Sequence, residues 1–262
     1  MPRIKDFFLE CVVYLYPSKQ DAKDGKGVGG SGFIVGVPSD EVPGTGFFYA
    51  VTNRHVVEDA KSRTIRLNTT DGKTDIIETD IGDWKRALDD DLAVTLVPLD
   101  MERTRHKISF IAEEEFVTKD LIERLNIGPG DDAFLVGRFI NHEGRQCNTP
   151  SVRFGNLSMM PDEPVKHTDG HMQESFLVEI HSVGGYSGSP VFVFIPPSDI
   201  PFRRVQERAC GPWLLGVDWG HCDGPSGQNS GMAYVVPAWR LRDLLYEEDL
   251  VKQRKQLEQE HE

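Results

Sequence analysis

The chain has 262 residues, of which 39% are hydrophobic, so it is long enough to bury a sizeable core and is not a disordered tail. Its 29 Lys and Arg residues against 42 Asp and Glu residues give a net charge of −13, which argues against nucleic acid and anionic membrane surfaces as partners. The N-terminal residues show neither a cleavable signal pattern nor an uninterrupted apolar stretch of membrane-spanning length. We therefore expect a soluble, cytoplasmic protein.

Short apolar runs of strand length follow one another from Asp6 to about Val236. In chain order they are FFLECVVYLY, GFIVGV, FFYAVT, TIRL, LAVTLV, AFLVG, FLVEI, PVFVFI, WLLGV and MAYVV. Many short β-branched and aromatic runs divided by turn residues predict an all-β sandwich or barrel. The Gly-, Ser- and Asp-rich stretches PSKQDAKDGKGVGGSG and CDGPSGQNSG predict surface turns.

Two segments interrupt this pattern. The stretch EEEFVTKDLIERLN has helical spacing of its apolar residues and lies near the midpoint, where a helix would link two halves. After Pro237 the strand signals end and helix formers dominate, which predicts a closing helix and a frayed tail. The predicted organisation is a first β-barrel over 1–112, a linker over 113–127, a second β-barrel over 128–237, and the helix and tail over 238–262.

The strongest local signal for chemistry is GGYSGSP at 184–190, where Ser187 lies in a glycine-rich turn directly before an apolar strand. Small residues let the backbone adopt unusual torsions and let a substrate carbonyl approach main-chain N–H groups. A serine hydroxyl is a weak nucleophile at neutral pH, so it needs a base and a group that orients the base. The turn therefore makes Ser187 a candidate nucleophile.

The sequence offers a candidate for each of the other two roles. His55 ends an apolar strand in FFYAVTNRHVV, and Asp91 directly precedes the strand LAVTLV, with Asp89 and Asp90 as neighbouring alternatives. Glycine turns, buried histidines and aspartates that begin strands are each common for structural reasons alone. Together the three candidates have the chain order His, Asp, Ser and a strand next to each, which favours a catalytic triad.

At these residues the chain resembles the trypsin-like peptidases, and within them the HtrA-type branch. The resemblance rests on GGSGFIVG, VTNRHVV, DDLAVTLV, GPGDDAFLVG, RFGNLS, GYSGSP, GVDWG and GMAYVVPA, which together cover most of the chain. It implies two six-stranded antiparallel β-barrels with a short C-terminal helix, and a serine endopeptidase that needs no cofactor or metal. It makes Asp91 the better choice over Asp90. Only 25 residues follow Pro237, so we expect no peptide-binding PDZ module.

The resemblance also assigns roles in binding. The main-chain N–H groups of Gly185 and Ser187 would form the oxyanion hole, and Val217, Asp218 and Trp219 would line a strand to which a peptide substrate adds as a further β-strand. Counting six residues back from Ser187 places His181 at the base of the primary specificity pocket.

Two features of the site leave questions open. Asp218 or Glu179 could supply a negative charge to the primary pocket in place of His181. Ser189 stands where the family usually has a second glycine, and its side chain would crowd the oxyanion turn.

The sequence allows three other interpretations of its polar residues and its function. A metal site could use His167 with His171, or Cys210, His221 and Cys222, but neither group forms a compact four-ligand pattern. Cys210 and Cys222 flank a predicted hairpin and could form a disulfide in an exported protein, although reduced thiols are the default. The alternative function is a trypsin-like domain that is inactive, or active only with a regulatory protein partner, and binds peptides without cleaving them.

Overall fold

The computed structural model describes residues 3–27, 29–99, 105–139, 144–166, 170, 172–182, 184–195, 211–223 and 228–260. Within these ranges the protein is mostly β-structure with six α-helices. The mostly β architecture expected from the sequence is confirmed, but of the two expected six-stranded barrels one is a closed six-stranded barrel and the other is an eight-stranded sheet.

The first half of the chain forms one eight-stranded sheet. Its strands are β1 (Val12–Tyr16), β2 (Ser31–Pro38), β3 (Gly46–Thr52), β4 (Thr64–Asn68), β5 (Thr74–Ile77), β6 (Lys85–Arg86), β7 (Ala93–Leu96) and β8 (Ile111–Ala112). The order is β5-β4-β1-β2-β3-β7-β6, all antiparallel, and β8 adds to β2 in parallel. The sheet has eight strands, two more than the expected six, because it includes the two-residue strands β6 and β8.

The second half closes into a six-stranded barrel. It contains β9 (Asp132–Gly137), β10 (Ser151–Met159), β13 (Phe176–Glu179), β14 (Pro190–Phe194), β15 (Trp213–Asp223) and β16 (Asn229–Pro237), in the order β10-β13-β16-β15-β14-β9. A separate hairpin between β10 and β13 consists of β11 (Val165–Lys166) and β12 (Met172–Gln173). This hairpin matters for the site because its second strand ends beside Asp91.

The helices are short, apart from the last. They are α1 (Asp6–Glu10), α2 (Lys19–Asp24), α3 (Arg54–Glu58), α4 (Lys119–Leu125), α5 (Ala238–Leu245) and α6 (Glu248–Glu260). The side chains of Ser18 and Thr118 cap α2 and α4 by accepting a main-chain N–H from the first turn. No helix in the described ranges has the length and apolar character needed to span a bilayer.

Three local predictions were wrong. The apolar run FFLECVVYLY divides into α1 and β1, because Phe8 turns inward against Phe134 and Phe192 of the second barrel. The stretch predicted as a surface turn after Tyr16 contains α2. The expected frayed tail is α6, which is held by buried Arg254 through hydrogen bonds to the hydroxyl of Tyr49 (3.2 Å) and the carbonyl of Leu245 (2.8 Å).

One hydrophobic core extends through both halves. Strand β1 shows how: its side chains alternate, so Tyr14 and Tyr16 face this shared core while Val13 and Leu15 face a second cluster within the first half. The shared core continues through Phe134 and Phe192 of the barrel to α5. This continuous packing fixes the junction at which residues from both halves meet.

Candidate active site

His55 and Asp91 are brought together by neighbouring strands of the first sheet. Strand β3 leads directly into α3, which carries His55, and β7 follows Asp91 by one residue; Thr52 of β3 pairs with Ala93 of β7. The two side chains therefore lie at the same edge of the sheet. The sequence placed His55 at a strand end, and the structure places it on the first turn of a helix just beyond that end.

Asp91 holds His55 with both of its carboxylate oxygens. Oδ2 lies 2.6 Å from His55 Nδ1, and Oδ1 accepts the main-chain N–H of His55 at 2.9 Å. Asn53 donates to the Asp91 carbonyl at 2.8 Å. Among the three aspartates, Asp89 is exposed and Asp90 contacts other side chains, so the structure brings only Asp91 to the imidazole.

The environment of His55 favours the protonated ring. Burial lowers its pKa, but the hydrogen bond and charge of Asp91, together with the charges of Asp59 and Asp218, outweigh burial and raise it. Because Nδ1 is engaged by Asp91, Nε2 is the nitrogen that remains for proton transfer.

Ser187 lies in a loop of residues 184–189 that enters β14. Its carbonyl accepts the N–H of Ser31 at 2.8 Å, and the N–H of Gly188 donates to the Asp218 carbonyl at 2.8 Å. Gly185 and Gly188 have φ of 94° and 86°. A Cβ on Gly188 would also come within 2.1 Å of the Ser31 carbonyl oxygen, so this turn requires glycine for both reasons.

Ser187 and the helix carrying His55 face each other across Gly30. A Cβ placed on Gly30 would lie 2.7 Å from Val56 and 3.1 Å from the Ser187 carbonyl oxygen. No hydrogen bond joins the Ser187 hydroxyl to His55 among the described contacts. Within the same described part of the chain, the N–H groups of Gly185 and Ser187 donate to no protein acceptor, which leaves both available to a ligand carbonyl.

Comparison with known proteins shows the family to which the chain belongs. The sequence model of the trypsin-like peptidase domain matches residues 30–193, which is more than half of the chain. The chain belongs to the trypsin-like peptidase family. The match includes His55, Asp91 and Ser187, and no curated protein sequence matches the chain.

Solved structures similar to this trypsin-like domain share its fold at low identity. The MamO protease domain from Magnetospirillum magneticum, in its apo form, superposes with a TM-score of 0.55 at 18% identity, over 92% of this chain and 98% of that one. The HtrA-type protease AlgW with tripeptide gives 0.54 at 17% identity, over 92% of this chain and 62% of that one. Deg5 gives 0.50 at 15% identity, over 91% and 88%.

The serine loop of this trypsin-like domain accommodates Ser189 without displacing the turn. The Ser189 side chain is buried and packs on Gly137 of β9, where a Cβ would lie 2.0 Å from the Ser189 hydroxyl oxygen. The N–H of Ser189 donates to the Tyr186 carbonyl at 2.8 Å. The space that the extra side chain needs is therefore provided by a glycine in another strand, rather than taken from the oxyanion turn.

The predicted binding residues have different environments. His181 and Glu179 are exposed, whereas Val217, Asp218 and Trp219 are buried in β15. Among the described residues no hydrogen bond or ion pair joins His181 to the serine loop, and its place at the base of the primary pocket stays a prediction. Beyond Val217, β15 pairs only with β16 among the described residues, which leaves its other edge without a described strand partner.

Asp218 is the buried carboxyl beside the serine loop. Its main chain bonds to Gly188 and to the carbonyl of Ser189 (2.9 Å), and its Oδ2 accepts the hydroxyl of Ser182 at 2.8 Å. Its Oδ1 accepts no hydrogen bond of good geometry from the described residues. Burial raises the pKa of Asp218 to about 7, against the opposing effects of Ser182, the Gly220 amide and His55.

Two of these contact residues were not found from the sequence. Asn53 lies inside the VTNRHVV motif and could have been noticed there as a polar neighbour of His55. Ser182 carries no motif, because its contact with Asp218 joins positions 36 residues apart.

The described residues include only part of the alternative metal and disulfide sites. Cys11, Cys147 and Cys222 are free thiols, while Cys210, His167 and His171 lie outside the described ranges. No group of three or more ligating side chains suited to a metal occurs in the part of the chain that the structure describes. His221 contacts Asp223 instead, at 3.4 Å.

Proposed function

We propose that this trypsin-like domain is a serine endopeptidase that hydrolyses peptide bonds in extended or unfolded polypeptides. The observation that carries the proposal is the pair of hydrogen bonds that the Asp91 carboxylate accepts from His55, at 2.6 Å from Nδ1 and 2.9 Å from the main-chain N–H. They lie next to a loop in which the N–H groups of Gly185 and Ser187 donate to no acceptor among the described residues. A carboxylate that fixes the ring and the main chain of a histidine sets the tautomer needed for base catalysis.

The proposed reaction is acyl transfer. The Ser187 oxygen attacks the carbonyl carbon of the substrate while its proton passes to His55 Nε2. The N–H groups of Gly185 and Ser187 donate to the oxygen that becomes negative. When the C–N bond breaks, His55 gives the proton to the leaving amine, and a water molecule then hydrolyses the ester on Ser187 by the same two steps. Asp91 remains ionised throughout.

The hydrogen bond from Ser187 to His55 is formed, in this proposal, when substrate binds. Catalytic hydrogen bonds are often long in free enzymes and tighten in the complex with substrate. The partly exposed ring of His55, with a side-chain exposure of 37%, leaves room for this adjustment, while Asp91 at 12% is held in place.

The substrate is proposed to add to the unpaired edge of β15. The N–H and carbonyl of Asp218 already bond to Ser189 and Gly188, so the main-chain groups of β15 from Trp219 onward would bond to an extended peptide. A folded protein would need a flexible loop to be cut in this way. Val217 lies within the barrel, paired on both sides, and supports this strand rather than touching substrate.

We propose that Asp218, rather than His181 or Glu179, sets the preference for the residue before the scissile bond. The main chain of Asp218 is bonded to the serine loop, and its buried carboxyl accepts the hydroxyl of Ser182 through one oxygen. A buried carboxylate is stabilised by a cation, so Lys or Arg at this substrate position is favoured.

The test is hydrolysis of a diverse peptide library by wild type and by Ser187→Ala, with fluorophosphonate labelling of both. Cleavage and labelling by wild type alone support the proposal, and the cut positions report the preference for Lys or Arg. Peptide binding by wild type without labelling or cleavage would instead support the binding-only alternative.

A further inference from the structure

A buried glutamine joins the second half of the chain to the segment that carries Asp91. Gln173 ends β12 and is fully buried. Its Oε1 accepts the main-chain N–H of Asp91 at 3.0 Å, and its Nε2 donates to Asp90 Oδ1 at 2.7 Å. Because one partner is a donor and the other an acceptor, only one orientation of the amide satisfies both.

The aspartate that Gln173 contacts is itself anchored by the C-terminal helix. Asp90 is 7% exposed, and the Nε of Arg240 in α5 lies 3.0 Å from its Oδ2 and 3.2 Å from its Oδ1. Arg240 also approaches Glu174 at 3.6 Å. The cost of burying the Asp90 carboxylate is offset by the Arg240 cation and by the hydrogen bond from the Gln173 amide. These two contacts hold the Asp90 side chain in place.

These contacts fix the main chain of Asp91 on both sides. Its N–H is bound by Gln173 and its carbonyl by Asn53 at 2.8 Å, while its carboxylate holds His55. The main chain that carries the Asp91 carboxylate therefore cannot shift relative to His55 without breaking one of these main-chain bonds. A displacement of about 1 Å at a catalytic group can cost about 100-fold in rate.

We propose that Gln173, supported by Asp90 and Arg240, is a positioning residue that aligns Asp91 with His55 across the junction of the two halves. The His55–Asp91 pair in the first half then reaches its working geometry only when the β11–β12 hairpin and α5 are docked against it. The kinetic part of this inference rests on the proposed peptidase function; the effect on the ionisation of His55 does not.

The first test is Gln173→Met, which keeps the length of the side chain and removes both hydrogen bonds without adding charge. We expect kcat to fall about 10- to 100-fold with KM changed by less than about threefold. Because the hydrogen bond from Asp91 raises the pKa of His55, the acidic limb of kcat/KM should move to lower pH. The matched control is Gln20→Met at an exposed position in α2, which should behave as wild type.

A charge exchange tests the contact itself. Gln173→Glu places a second carboxylate against Asp90 and should lower kcat at least as far as Gln173→Met. Adding Asp90→Asn to Gln173→Glu supplies an amide donor to the new carboxylate, which still accepts the N–H of Asp91, so kcat should recover by about tenfold or more. Failure of the double variant to recover, in protein with a wild-type melting temperature, would overturn the proposal.

The ionisation of His55 separates this inference from the peptidase proposal. Titration of His55 by NMR in wild type and in Gln173→Met needs no turnover, and a lower pKa in the variant supports the positioning role even if no peptide is cleaved. An unchanged His55 pKa, or a loss of activity that appears only in KM, would show that Gln173 has a purely structural role.

Discussion

The two sides of the candidate site are built in different ways. On the histidine side, both carboxylate oxygens of Asp91 are bonded to His55 and its main chain is held by Asn53 and Gln173. On the serine side, two buried polar atoms, Ser189 Oγ and Asp218 Oδ1, have no hydrogen-bond partner among the described residues. Unpaired buried polar atoms usually cost stability. Asn53 Oδ1 on the histidine side also lacks a partner among the described residues, so the contrast is between the fully bonded Asp91 carboxylate and the serine side.

This difference matches what each side of the site must do in the proposed reaction. The histidine side must present one tautomer in one orientation, and paired hydrogen bonds provide that. The serine side must receive a substrate, and groups that lack partners in the free protein can gain them from a ligand. The contrast predicts that changes on the histidine side affect turnover most, and that changes on the serine side affect stability and its pH dependence.

The largest expected effect is that of Asp91→Asn. The new amide would present N–H groups to His55 Nδ1, so the ring would need to carry its proton on Nε2, where it cannot accept one from Ser187. We expect kcat to fall by about 10³- to 10⁴-fold with the fold preserved. Single-turnover hydrolysis of a peptide ester, with circular dichroism to check folding, measures this.

The control for Asp91→Asn is Asp40→Asn, the same change at an exposed aspartate outside the site. It should leave kcat unchanged. A loss of less than tenfold in Asp91→Asn would mean that the paired histidine side is not what limits catalysis.

The site residues that the sequence predicted are those that lie in a recognisable local sequence motif. Ser187 lies among glycines, and His55 and Asp91 each adjoin an apolar run, so local patterns were sufficient to find them. Gln173 lies in a two-residue strand and contacts Asp90 across 83 positions, so nothing near it in the sequence indicates its partner. Such contacts depend on how the two halves pack.

The same reasoning explains the errors in secondary structure. Four residues of α1 and the strand β1 share one apolar run, and a run that short does not distinguish helix from strand by its period. Phe8 of α1 packs against Phe134 and Phe192 of the closed barrel, and these contacts between residues remote in sequence favour the helix. The crowding expected from Ser189 was misjudged for the same reason, since Gly137 lies 52 positions away.

The pairing of Ser189 with Gly137 provides the second prediction. Gly137→Ala alone places a methyl group 2.0 Å from the Ser189 oxygen and should destabilise the protein by about 1–3 kcal/mol, because the core must shift. Combining it with Ser189→Gly removes the contact with the Ser189 side chain and the unpaired hydroxyl. The new methyl group would still lie 2.8 Å from Tyr186 Cδ1, so the double variant should recover only part of that loss. Urea denaturation of wild type, both single variants and the double variant gives the coupling energy.

The control for this pair is Gly82→Ala, since a Cβ at Gly82 meets no atom within 4 Å. It should change the free energy of unfolding by less than about 0.5 kcal/mol. Additive losses in the Gly137 and Ser189 double variant would show that the two residues do not compensate one another.

The smallest expected effect concerns Asp218 and pH. Burial raises its folded pKa from 3.8 to about 7, so between these values the folded protein binds a proton that the unfolded chain does not. Its contribution to stability is therefore fully present below about pH 4 and is lost as the pH rises to about 7. Asp218→Asn keeps an acceptor for Ser182 but cannot ionise, so relative to wild type it should gain at least about 1 kcal/mol between pH 5 and pH 8.

The comparison with wild type removes the contribution of His55. The raised pKa of His55 also lowers stability as pH rises. The part of this effect that Asp91 and Asp59 cause is present in both proteins and cancels in the difference, whereas the part caused by the charge of Asp218 is lost in Asp218→Asn. Urea denaturation at the two pH values measures the change. An equal difference at pH 5 and pH 8 would mean that Asp218 is ionised across this range, and hence that the serine side already supplies it with a partner, which would remove the main contrast between the two sides of the site.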